Sequence, residues 1–147
     1  MNEFGSKLIV GCLEVCGLPD FGIDDLKVRI DTGAKTSSLH VDGISICKIG
    51  GKTGVQFYLH PEVHNVDKTI ECKALLKDIR RIKSSNGEIQ SRYVVETTLL
   101  LGGKSWPIEL TLSDRSDMSY LMLLGREGMK DLLLVDPSGS FLLDCDC

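Results

Sequence analysis

Alternation with a period of two runs through this 147-residue chain and leaves little room for helices. In "DLKVRID" Leu26, Val28 and Ile30 fall on one side, with Lys27, Arg29 and Asp31 on the other, the pattern of a strand with one buried face. "SWPIELTLSD" repeats it, setting Trp106, Ile108, Leu110 and Leu112 against Pro107, Glu109, Thr111 and Ser113. Pro107 has no N–H to give a ladder, which predicts a free edge at that point. "RYVVETTLLLGGKSW" supplies a β-rich run, a Gly102-Gly103 turn and a return strand, so residues 92–113 read as a hairpin. Asn86-Gly87, between "RRIKSS" and "EIQSRY", predicts a second hairpin with polar arms that projects from the body. Gly50, Gly51 and Gly54 make "KIGGKTG" a loop and "HPEVHNVDK" is a second irregular stretch, together framing a strand at "VQFYLH". Helical spacing occurs once, in "GREGMKDLLL", a turn or two after Gly125, followed by an expected terminal strand at "SFLLDC". The expected fold is mainly β with one short helix.

Composition is consistent with one domain over residues 1–147 that buries its own core, at 42% hydrophobic and 26% charged. Residues 1–6, "MNEFGS", read as a cloning remnant or a disordered start. No apolar run approaches the roughly 20 residues that span a bilayer, and no basic region with an apolar leader opens the chain, so a soluble, cytoplasmic protein with no membrane partner is expected. The six cysteines, Cys12, Cys16, Cys47, Cys72, Cys145 and Cys147, form no C-x-x-C pair and read as reduced thiols. A net charge of −4 argues against nucleic-acid binding. Charge is nevertheless uneven. Lys77, Arg80, Arg81, Lys83 and Arg92 outnumber Asp78 and Glu88 in one segment, while Asp131, Asp136, Asp144 and Asp146 make the end acidic.

Several chemistries can be weighed on these residues. "GGKTG" echoes the end of a phosphate-binding loop, but the first glycine of that motif would fall at Ile46 and no long helix follows, so ATP is not expected. In "HPEVH" Pro61 and the lack of H-E-x-x-H remove metalloprotease geometry. A zinc site from His40, His60 and His64 gives way to solvated loop histidines, and neither metal ligand nor cofactor is assigned. The remaining candidate is Asp31 in "RIDTGAKTSSLH", with the alternative that it merely caps a turn. One carboxylate is a poor simultaneous acid and base, whereas two about 3 Å apart share a proton and divide the roles. The chain holds one Asp-Thr-Gly, so a catalytic pair requires a second copy and hence a symmetric homodimer. Thr32 and Gly33 complete the turn. Ser37 and Ser38 read as ordinary strand-edge residues, and Trp106 as core or interface packing.

Together, "IDTGA" after a strand, a polar hairpin at 80–92, paired strands over 93–113 and "LMLLGREGM" resemble the retroviral-type aspartic proteases, the retropepsins. The resemblance implies an acid-protease fold, a closed β-barrel with one short C-terminal helix. It also implies catalysis by Asp31 with Thr32 and Gly33, and a segment Leu123, Leu124, Gly125 and Arg126 passing behind the catalytic turn. Arg126 is expected to pair with an acid. Nearly the whole chain is similar to a bacterial and archaeal retropepsin-like group labelled ATP-dependent zinc proteases, encoded near ATP-grasp ligases that add glutamates to a ribosomal protein. The similarity rests on "LPDFGI", "KVRIDTGAKTSSLH", "VQFYLHP", "IKSSNGEIQSR", "WPIELTLSDRSDM" and "LLGREGM". Unlike viral enzymes, the chain has a longer stretch from Ile44 to Lys77 and a far more polar flap. Arg80, Arg81, Lys83 and Arg92, with Ala34 and Lys35 beside the turn, are therefore expected to receive an acidic or glutamate-rich peptide. The competing readings are a solvated charged hairpin, and a catalytically silent dimerisation or binding module.

Overall fold

The computed structural model describes residues 3–60, 69–83, 87–113 and 120–144. Its strands are β1 (Glu3–Phe4), β2 (Lys7–Val10), β3 (Leu13–Leu18), β4 (Ile23–Ile30), β5 (Ser37–His40), β6 (Asp42–Ile49), β7 (Lys52–Leu59), β8 (Ile70–Lys83), β9 (Ile89–Leu101), β10 (Lys104–Ser113), β11 (Met122–Leu124) and β12 (Leu133–Val135). The helix is α1, Arg126–Met129. Six strands close a barrel in the order β10-β5-β11-β4-β3-β9, with β9 pairing back onto β10. From β9 the sheet continues outward through β8, β7 and β6, while β1, β2 and β12 form a separate small sheet.

Hydrophobic alternation accounts for the barrel wall. Leu26, Val28 and Ile30 are buried in β4 while Lys27 and Arg29 are exposed, and Trp106, Ile108, Leu110 and Leu112 are buried in β10. A fully buried residue beside a water-facing one is what a one-sided sheet requires. Pro107 faces Thr98 on β9, and β5 pairs only with Leu110–Ser113, leaving Pro107 on the open side of β10 as expected. The indole N–H of Trp106 donates to the Gly128 carbonyl at 2.8 Å, so the residue tethers α1 as well as packing. Phe21 meets Phe57 edge-to-face at 5.4 Å, seating the outer sheet on the barrel.

Both expected hairpins form. Gly102 and Gly103 turn between β9 and β10 with φ of 60° and 79°. β8 and β9 pair out to Lys83–Ile89; of the expected Asn86-Gly87 turn, Asn86 lies outside the described residues. Three local expectations are corrected. "KIGGKTG" is a tight hairpin rather than a loop: Gly50 and Gly51 take φ of 57° and 81°, joining β7 to an unforeseen β6. Gly54 is a strand residue in β7, where a Cβ would lie 2.5 Å from Ile49 Cδ1. The run "KDLLL" is not helix. Lys130 adopts φ 51°, the helix stops at Met129, and Leu133–Val135 pair in parallel with Leu8–Val10. "SFLLDC" is not a strand either. The Glu14 carboxylate accepts the Leu142 and Leu143 N–H groups at 2.9 and 3.2 Å, so those donors are lost to a ladder and Leu142–Asp144 form a 3-10 turn.

Candidate active site

Strand β11 is inserted between β4 and β5, the two strands that the Asp31 turn connects, running parallel to the first and antiparallel to the second. This crossing determines the site. The Asp31 N–H donates to Leu124 O at 3.0 Å, and the Ala34 N–H to Asp31 O at 3.3 Å, closing the turn. The Gly33 N–H donates to Asp31 Oδ1 at 2.9 Å and so orients the carboxylate, which stays partly exposed. A Cβ on Gly33 would approach that oxygen to 3.2 Å.

The segment after β11 clasps the turn from behind. Arg126 N–H donates to Ala34 O at 2.8 Å and Glu127 N–H to Lys35 O at 3.0 Å. Gly125 N–H donates to Ser37 Oγ at 3.0 Å. A Cβ on Gly125 would stand 2.5 Å from Thr36 O and 2.6 Å from Thr36 C, so the two backbones touch there. Arg126, expected to pair with an acid near the dimer or helix terminus, donates through Nη1 to Thr32 O at 2.9 Å within the chain. Ser37 is no ordinary edge residue. It is 2% exposed, its Oγ accepts from Gly125, and its carbonyl accepts the Thr111 hydroxyl at 3.1 Å. The signal for this was its place two residues before Leu39, on the inward side of β5.

Asp31, Thr32, Gly33, Ala34, Leu124, Gly125 and Arg126 thus form one hydrogen-bonded unit. The cations divide. Lys35 leans toward α1, 3.7 Å from Glu127. Arg80 donates to Glu109 at 2.9 Å and to Asp78 at 3.1 Å, and Lys77 reaches both Glu96 (2.6 Å) and Glu109 (2.8 Å). Lys77 sits at a register shift in β8, between Leu76 and Asp78, which turns it toward the same acid as Arg80. The hydrogen bond from Lys77, reinforced by Arg80, holds the Glu109 carboxyl below its ordinary range against the opposing cost of burial. Both cations line a groove of about 240 Å³ with Ser37, Gly128 and Lys130. Arg81 and Lys83 lie exposed further along the hairpin, and Arg92 faces Arg80 across the β8–β9 ladder.

Among the described residues, the stretches weighed for zinc and ATP are placed as follows. His60 is engaged by Asp42 at 2.8 Å and Thr69 at 3.3 Å, His64 lies outside the described residues, and no group of three metal-binding side chains occurs among the described ones. Lys52 and Thr53 of "GGKTG" belong to β7, and Thr53 Oγ1 accepts from Lys48, so no helix N-terminus is there to cradle phosphate. Burial pushes the Cys16 thiol up to about 12 and that of Cys72 to about 11, which keeps both protonated and poorly nucleophilic. Among the described residues no helix is long and apolar enough to cross a membrane.

A family model described as "Retropepsin-like aspartic endopeptidase RimB" matches residues 9–145. Proteins named "Probable alpha-L-glutamate ligase" are similar over nearly the whole chain: 46% identity over 138 residues in Shewanella halifaxensis and 42% in Desulfotalea psychrophila, covering 94% of this chain each. The matched part is 30% of those relatives, so this chain spans less than a third of their length. The crystal structure of Lpg0085 from Legionella pneumophila, a protein of unknown function, superposes with a TM-score of 0.77 at 27% identity, covering 92% of this chain and 97% of that one.

Proposed function

The chain belongs to the RimB-like family of retropepsin-like aspartic endopeptidases, and from that premise we propose that it hydrolyses peptide bonds as a homodimer, with one Asp31 from each copy. The observation that carries this reading is the clasped turn. Asp31 is oriented by the Gly33 N–H yet left accessible, as a carboxylate that must meet both water and a second carboxylate requires. In the pair, the ionised Asp31 takes a proton from water as it attacks the scissile carbonyl. The protonated one donates to the carbonyl oxygen, and a proton then passes to the leaving amine. Thr32 and Gly33 shape the turn, and Leu124, Gly125 and Arg126 position it. Acidic or glutamate-rich tails are the proposed substrates. Support comes from the exposed cations Arg81 and Lys83 of the hairpin and from the ligase named in the longer relatives.

Asp31→Asn should lower peptide hydrolysis by at least about a thousandfold while the protein stays folded, because neither member of the pair can then be the base. Wild-type rates surviving in the pure variant would refute the mechanism. Sedimentation should find a dimer wherever activity is found; a monomer cleaving at full rate would rule out a shared pair. Hydrolysis should also persist in chelator, and loss that zinc restores would replace this reading with a metal mechanism. A second reading has one observation in its favour: in the relatives the matching segment is the minor part of a chain named for ligation. On that reading the domain is a silent binding module, and Asp31→Asn would leave its only measurable property, association, unchanged.

A further inference from the structure

The groove of about 240 Å³ is where the clasp and the hairpin root meet: Thr36 lines it just before β5, Glu127 and Lys130 from α1 and its end, and Lys77 and Arg80 from the root. Of these cations, Lys77 and Arg80 are engaged by Glu96, Glu109 and Asp78. Lys130 is not. Among the described residues its ammonium has no hydrogen bond or ion pair, and neither has the Thr36 hydroxyl. Glu127 is held only loosely, by Lys35 at 3.7 Å, and both side chains are more than half exposed. The backbone of Lys130 is a second, independent sign. Its φ of 51° and ψ of −142° fall where glycine goes freely and a residue with a Cβ goes only at a cost. The chain turns this sharply because α1 stops at Met129 and Leu133–Val135 must already pair with β2. A glycine would make the same turn without strain, so the turn by itself gives no reason for a lysine. Strain of this kind collects where a side chain is held toward a ligand.

The uncommitted groups differ in sign. Lys130 and the Thr36 hydroxyl offer donors to an anion, while Glu127 offers acceptors to a cation. Residues three apart around a helical turn have Cβ atoms about 5–6 Å from one another, close enough for Glu127 and Lys130 to hold one small molecule between them. A simple anion would satisfy Lys130 but meet the repulsion of Glu127, Glu96 and Glu109, and a simple cation would satisfy Glu127 but meet that of Lys130, Lys77 and Arg80. A molecule carrying both charges on neighbouring groups answers both, and Pro107 and Ile108 offer apolar surface to the rest of it. We propose that this groove binds a free α-amino acid as its zwitterion, with the carboxylate on Lys130 and Thr36 and the ammonium on Glu127. Neither Asp31 nor a second copy takes part, so the site is independent of the peptidase reading.

The molecule carries its own probe. Trp106, the single tryptophan, donates to the carbonyl of Gly128, which lines the groove, so its emission reports occupancy in the full chain. Backbone amide shifts of residues 127–130, followed by NMR, give the location. L-leucine is titrated beside N-acetyl-L-leucine, which keeps only the carboxylate, L-leucinamide, which keeps only the ammonium, and N-acetyl-L-leucinamide, which keeps neither. L-leucine should bind about fivefold more tightly than either singly charged relative, the worth of one partly screened ion pair. Glu127→Gln should remove its advantage over N-acetyl-L-leucine and leave that over L-leucinamide; Lys130→Gln should do the reverse. Lys130→Gly should lose the same affinity as Lys130→Gln and yet raise Tm by about 4 °C, because it relieves the backbone. Lost recognition is thereby separated from lost folding. The site is refuted if L-leucine binds no better than N-acetyl-L-leucinamide, if Lys130→Gly binds L-leucine as wild type does, or if the shifts fall away from residues 127–130. Acetate or phosphate binding as tightly as L-leucine would also overturn it, by making the groove a site for anions alone.

Discussion

The Asp31 turn and the β8–β9 hairpin are both rich in polar contacts, yet they are held by opposite means. Around the turn, the backbone amides of residues 125–127 donate to the Ser37 hydroxyl and the Ala34 and Lys35 carbonyls at 2.8–3.0 Å, the Asp31 amide donates to the Leu124 carbonyl at 3.0 Å, and Gly125 lets two backbones touch. Along the hairpin, Lys77, Arg80, Glu96 and Glu109 are joined through long side chains, of which Lys77 and Glu96 are 44% and 52% exposed. Backbone contact tolerates no added atom, because the neighbouring chain has nowhere to go. Ion pairs near water tolerate exchange, since solvent and salt replace much of what is lost. A carboxylate that must be positioned to a fraction of an ångström is placed in the first environment. A hairpin that must admit a peptide chain stands on the second.

Substitutions can break this contrast or sharpen it. The largest effect is expected from Gly125→Ala, which puts a methyl group 2.5 Å from Thr36 O. Overpacking against backbone should cost about 3 kcal/mol and roughly 10 °C in Tm by calorimetry. A Tm within about 2 °C of wild type would mean that the clasp is soft and the contrast misplaced. Ser37→Ala should come next. It leaves the buried Gly125 N–H without its acceptor, a loss of about 1–3 kcal/mol in denaturant unfolding, whereas Ser37→Thr keeps the oxygen and should recover part of it.

Glu109→Gln should be the mildest and the only one sensitive to conditions. Because Lys77 and Arg80 hold the Glu109 carboxyl below its ordinary range, its contribution is complete above that range and disappears as pH falls through the lowered value. The Tm gap between wild type and Glu109→Gln, a degree or two at pH 7, should therefore close as the pH falls below the ordinary carboxylate range and also narrow in molar salt. A gap that widened in acid would reverse the assigned sign. The gap for Ser37→Ala, involving no titrating group of its own, should change little with salt.

The two regions also differ in how far they could be read in advance. The turn was legible because its parts are short contiguous words: "IDTGA" is one, "LLGRE" another, and strand periodicity on each side names the elements that bear them. What could not be read was the hydroxyl of Ser37, whose partner Gly125 is 88 positions away. In the hairpin the positive run was plain, but its neutralisation was not, since Glu109 lies 29 positions beyond Arg80 on a strand whose register sets their meeting. "KDLLL" shows the same limit. Three consecutive leucines suit a helix or a buried strand equally, and only pairing with Leu8–Val10 made Leu133–Val135 a strand.

Local chemistry therefore decided the strand-dominated class, the glycine turn at 102–103, and the one acid worth suspecting, because alternation, φ preference and short motifs depend on adjacent residues alone. Tertiary structure decided which backbone braces Asp31 and which cations are already paired with the chain's own acids. Those depend on strand register and on β11 entering between β4 and β5, and register is set by burying one face of every strand at once rather than by any single stretch.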